Sequence, residues 1–74
     1  RKTHNEVIHT TVNKLKQEKE QLGVESYAKS RALSNPKIFR DENMVRDYGR
    51  RLKEIEKRVK EIDEEIKSLL DKVV

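Results

Sequence analysis

Residues 45–73 read VRDYGRRLKEIEKRVKEIDEEIKSLLDKV, and their spacing decides the fold. Val45, Tyr48, Leu52, Ile55, Val59, Ile62, Ile66, Leu69 and Val73 follow one another at steps of three and four without a miss. A strand alternates faces every residue, so only a helix puts this series on one side. With Leu52 as an a position, Val45, Val59, Ile66 and Val73 are also a, and Tyr48, Ile55, Ile62 and Leu69 are d. The flanking g positions hold Arg51, Arg58, Glu65 and Lys72; the e positions hold Gly49, Glu56, Asp63 and Leu70. Four pairs four residues apart, Asp47–Arg51, Glu54–Arg58, Glu56–Lys60 and Asp63–Lys67, are expected to support the helix along its exposed side.

Upstream of this helix the sequence turns. Ser34-Asn35-Pro36 closes whatever precedes it, because proline pushes its predecessor out of the helical region. Two starts for the second helix are open at this level. Asn35-Pro36 is good grammar for a start near residue 36, and Asp41 is a good N-cap for one at 42. Ile38 and Phe39 then need cover, from Tyr27, Leu33 or a partner chain. The first half reads as a second helix with a thinner seam of Ile8, Val12, Leu15 and Leu22, interrupted by Lys19. Gly23 allows a kink or a C-cap, and the apolar stripe past it shifts to Val24, Tyr27, Ala28 and Arg31.

The expected architecture is all-α. A single unit over residues 1–74 forms an antiparallel two-helix hairpin of coiled-coil type, with helices over about 4–33 and 42–73 and a turn over about 34–41. The two stripes are unequal in width, so the hairpin is expected to self-associate into a helical bundle or to dock on a partner.

Composition narrows the function. In 74 residues, 43% are charged and 32% hydrophobic, which leaves too little apolar material for a walled substrate pocket. Cysteine is absent, so neither a disulfide scaffold nor a thiolate zinc site can form. No apolar run approaches the length of a membrane span, and no signal-peptide pattern stands out. An intracellular setting, cytoplasmic or nuclear, fits both facts. The chain opens on Arg1 and reads as a piece of something longer.

Glu6-Val7-Ile8-His9 has the Glu-x-x-His spacing used in di-metal helix bundles. Such a centre needs two of these motifs and two further buried glutamates, which the second helix does not offer. His4 and His9, five apart, point away from each other on a helix. No nucleophile–base arrangement and no glycine loop for phosphate is legible. No catalytic residue, cofactor, metal or small-molecule substrate is assigned.

Charge is unevenly placed. Residues 29–53 carry Lys29, Arg31, Lys37, Arg40, Arg46, Arg50, Arg51 and Lys53 against Asp41, Glu42 and Asp47, whereas residues 54–74 carry more acids than bases. A hairpin therefore has a basic tip and an acidic open end. Two functions follow as expectations. The first is a non-catalytic protein-interaction or oligomerisation module acting through Val45, Tyr48, Leu52, Ile55, Val59, Ile62, Ile66, Leu69, Leu70 and Val73. The alternative is a basic-tipped arm on RNA or DNA, with Arg31, Lys37, Arg40, Arg46, Arg50, Arg51 and Lys53 on phosphates.

Two stretches resemble known families. Ala32-Leu33-Ser34-Asn35-Pro36, followed by an aromatic, an acidic residue and the heptads after Val45, is similar to the helical hairpin arms of peptide release factors, valyl-tRNA synthetase and translation-associated ABC ATPases. That resemblance implies contact with RNA or the ribosome. Gly23-Val24-Glu25 and the run from Leu52 look like the antiparallel coiled-coil finger that binds Rho-family GTPases. Both resemblances imply a hairpin, and no binding residue is carried over from either.

Overall fold

The computed structural model describes residues 3–74 and contains three helices: α1 over His4–Leu33, α2 over Pro36–Phe39 and α3 over Glu42–Leu70. α1 and α3 lie side by side, and α2 is a single turn at the tip against both. The molecule is a rod of 54 × 16 × 15 Å.

Each helix starts where a side chain takes up the free amides of its first turn. Thr3 and Glu6 make a capping box: the Glu6 amide donates to Thr3 Oγ1 at 3.2 Å, and the Thr3 amide donates to Glu6 Oε2 at 3.3 Å. The Lys37 amide donates to Asn35 Oδ1, with Pro36 at the first helical position. Asp41 Oδ1 accepts from the Asn43 and Met44 amides at 3.1 and 3.2 Å, which sets the start of α3 at Glu42. Both starts legible in the sequence are therefore used, the one at residue 36 for a lone turn.

The core is one layer of side chains between α1 and α3. Ile8, Val12, Ile55 and Ile62 are buried, with Ile62 at 0% exposure. Val45, Tyr48, Leu52, Val59, Ile66, Leu69 and Val73 are half-buried beside them. The expected shift of the α1 stripe beyond Gly23 does not occur. Val24 is 67% and Tyr27 64% exposed, Ala28 and Arg31 are exposed too, and α1 runs through Gly23 as unbroken helix. The heptad continues instead through Ser26, Lys29 and Leu33, all half-buried. Lys29 can occupy a seam position because its ammonium finds two partners: the Tyr48 ring, 5.5 Å from its centroid, and the Glu25 carboxylate at 3.2 Å. Tyr27 therefore gives no cover to the tip; Ile38 is half-buried and Phe39 stays 67% exposed.

At the open end the start of α1 meets the last residues of the chain. The Asn5 side chain donates to the Val74 carbonyl at 2.9 Å and accepts from the Val74 amide at 3.1 Å. His4 Nε2 lies 3.2 Å from the Lys72 carbonyl.

Candidate functional site

The two flanks of the seam differ in kind. On the g side, Arg51 and Arg58 of α3 reach across to Glu25 and Glu18 of α1. Arg51 Nε and Nη2 donate to the two Glu25 carboxylate oxygens at 2.6 and 3.0 Å. Arg58 repeats the fork on Glu18 at 2.6 and 3.2 Å. One residue number rises by seven as the other falls by seven, from 25 with 51 to 18 with 58. His4 and Lys72 meet two heptads further along the same line. This is the register of an antiparallel pair. The local pairing expected of these arginines is replaced: Arg51 and Arg58 also touch Glu54 and Glu61, and Asp47 pairs with Arg50. On the e side, toward the open end, Asp63 turns across to Lys19 at 2.6 Å. Forked bonds to a carboxylate hold both charges more firmly than a point contact would.

The protonation behaviour follows from that geometry. Arg51's two hydrogen bonds, helped by Lys29, hold the Glu25 carboxyl down at about 2. The Arg58 hydrogen bond holds Glu18 below the usual carboxylate range. Both guanidiniums are pushed up in return by the hydrogen bonds to their glutamates.

The e side is open. Its positions near the tip hold Gly23 and Ser30 on α1 and Gly49 and Glu56 on α3. A methyl group added at either glycine would meet nothing within 4 Å. A groove of about 390 Å³ runs between the helices here, with Leu52, Ile55 and Val59 of α3 beside Gly23, Ser26 and Ser30 of α1. On the neighbouring outer face of α3 a second groove, of about 520 Å³, lies between Val45, Gly49, the cations Arg46, Arg50, Lys53 and Lys57, and the carboxylate of Glu54.

The candidate residues fall into separate groups. Of the apolar seam set, Ile55 and Ile62 are enclosed within the hairpin, and Val45, Tyr48, Leu52, Val59, Ile66, Leu69 and Val73 are half-covered by it. Leu70, at an e position, is 44% exposed on the open flank. Of the basic set, Arg31, Lys37, Arg40, Arg46, Arg50 and Lys53 are exposed. Arg51 is half-buried in the ladder with Glu25, and Arg31 lies over the Tyr27 ring. Lys57 completes the cationic groove. Arg46, Arg50, Lys53 and Lys57 repeat at three- and four-residue spacing, a pattern that reads in the sequence alone as one outward ridge.

Among the described residues, no three His, Asp or Glu side chains gather in a metal-holding cluster, and no helix is long and apolar enough to cross a membrane. No family model matches this chain, and no curated protein or solved structure matches it.

Proposed function

We propose that the chain is a non-catalytic protein-interaction and oligomerisation module, docking through the open e flank of the hairpin. The observation that carries this reading is the asymmetry of the seam. Forked ion pairs close one edge, whereas the other carries the Lys19–Asp63 contact toward the open end. Glycines and serines leave the other edge low, so that Leu52, Val59 and Leu70 keep apolar surface for a partner. Flanking charges beside such a strip select the partner and its direction. Sedimentation equilibrium from about 10 µM to about 1 mM covers the affinities of interfaces this small. Concentration-dependent association lost on Leu70→Asp, with circular dichroism unchanged, is the expected result. A particle of one mass throughout, unaffected by that substitution, counts against self-docking.

A second reading has its own observation. Arg46, Arg50, Lys53 and Lys57 share one groove on the outer face, and the exposed Phe39 ring stands at the same end of the rod. A basic tip with an aromatic neighbour suits single-stranded nucleic acid. Titration with RNA and duplex DNA at about 50 and about 200 mM salt tests it, because phosphate binding weakens steeply over that range. Under this reading Arg50→Glu lowers affinity and leaves the melting temperature unchanged, whereas Arg51→Glu lowers the melting temperature by breaking the ladder. Absence of binding at the lower salt removes the reading.

A further inference from the structure

We infer that the occupant of the open flank is a second copy of this chain, with the two α3 helices antiparallel and their two-fold axis passing beside Lys60. The inference rests on the protein-docking reading and names its partner. The outward f positions of α3 run Arg50, Lys57, Glu64, Asp71: two cations, then two anions. All four are exposed. The e positions run Gly49, Glu56, Asp63, Leu70: a gap, two anions, then an exposed aliphatic side chain. Reversing the helix about residue 60 maps the f column onto complementary charges and sets Gly49 opposite the partner's Leu70, while Glu56 falls opposite the partner's Asp63. Arg50 meets the partner's Asp71, and Lys57 meets the partner's Glu64. The Leu70 side chain enters the partner's groove at Val45 and Gly49, where nothing approaches within 4 Å of an added methyl.

A two-fold interface makes every contact twice, so each match is repeated on the other side of the axis. Gly49 and Leu70 are 21 residues apart on one helix, so the two leucine insertions lie about 31 Å from each other at 1.5 Å per residue. At the axis the two Lys60 ammoniums meet among Glu56 and Asp63 of both copies. Lys19, held on Asp63 at 2.6 Å, brings a further cation from each α1. Lys60 and Lys19 thus offset Glu56 and Asp63 at the centre, and Lys53 and Lys67 of the Lys60 column flank them on either side.

The same columns disfavour other occupants. A parallel second copy would set Arg50 on Arg50 and Glu64 on Glu64. A polyanion lying along the whole face would meet Glu56, Asp63, Glu64 and Asp71 over the half nearer the open end. Only the antiparallel copy turns the change of sign along α3 into attraction at both ends.

The test is sedimentation equilibrium on the full chain. Wild type is expected to dimerise, and Lys57→Glu or Glu64→Lys alone to raise the dissociation constant about tenfold or more. The double variant Lys57→Glu/Glu64→Lys restores the pair with its signs exchanged, and returns to within about threefold of wild type. Gly49→Leu separates docking from folding. It raises the melting temperature of dilute monomer by removing a helical glycine, yet weakens the dimer about tenfold by filling the groove. A double swap as weak as the single changes, or a Gly49→Leu dimer as tight as wild type, overturns the antiparallel arrangement and leaves the docking reading standing. A wild-type chain that stays monomeric at about 1 mM overturns the second copy as occupant. If that monomer also binds RNA with steep salt dependence, the docking reading falls with it.

Discussion

Ile62→Ala is the sharpest probe of what holds the hairpin together. Ile62 has 0% exposure, and it is flanked by Ile55 at 3% and faces an α1 whose own buried residues are Ile8 and Val12. Truncating a buried isoleucine to alanine removes transfer free energy and leaves a cavity, together about 2–5 kcal/mol. A hairpin has solvent on both edges of its core, so its helices can settle partly into the gap. About 3 kcal/mol is therefore expected. Total stability for a chain of this size is about 4–11 kcal/mol at the usual value per residue. The melting temperature should then fall by about 12–24 °C, at 4–8 °C per kcal/mol. The assay is thermal and urea unfolding followed by circular dichroism, at two protein concentrations, because association adds stability by mass action. Leu70→Ala, 44% exposed, is the internal comparison and should cost under about 1 kcal/mol in dilute protein. An Ile62→Ala loss no larger than that of Leu70→Ala would refute a core centred on Ile62.

Three further outcomes follow from the same geometry. Glu25 sits at about 2 in the folded hairpin and near 4.5 in the unfolded chain, so its contribution is present above the unfolded value and is lost as pH falls from about 5 towards 2. Glu18 acts in the same direction, and melting temperatures of Glu18→Gln/Glu25→Gln should fall less over that window than those of wild type. Identical pH profiles would mean that the forked pairs do not influence folding. Gly23→Ala lies in open, exposed helix and should add about 0.5–1 kcal/mol; a loss on urea titration would show that the e flank near residue 23 is not free. Asp41→Ala removes the acceptor of two amides and should cost about 1 kcal/mol, read by the same titration, with Asp41→Asn restoring most of it.

The parts of the fold legible in the sequence are those specified by near-neighbour pattern. The α3 seam repeats without a miss over four heptads, and Asn35-Pro36 and Asp41 mark two helix starts by local amide chemistry alone. The α1 seam beyond Gly23 was hidden because hydropathy and geometry disagree there. The aliphatic and aromatic residues Val24, Tyr27 and Ala28 lie off the heptad phase, while Ser26 and Lys29 lie on it. What makes Lys29 tolerable is Tyr48, nineteen residues away in the chain and visible only once the helices are paired. The same holds for the g-side ladder. Asp47–Arg51 and Glu54–Arg58 are the local pairs the sequence suggests, and the cross-helix forks at sequence separations of 26 and 40 take their place. The open flank is written in the sequence as Gly23 and Gly49. Their placement on one edge follows from the antiparallel register and from nothing local.

The clasp of Asn5 on the Val74 backbone determines how the molecule responds to tension. Because residues 5 and 74 are bonded to each other, a force applied between the two ends acts at the mouth of the hairpin and across its seam. The bonds then carry the load one after another: the asparagine clasp first, then the leucine and isoleucine layers, with each glutamate–arginine fork a step on the way. Such opening resembles a zip and proceeds at low force. Anchoring the tip and pulling on both ends together loads α1 and α3 in parallel along the 54 Å rod, and the same contacts then resist collectively. The direction of pull thus decides whether this hairpin behaves as a compliant tether or as a stiff strut.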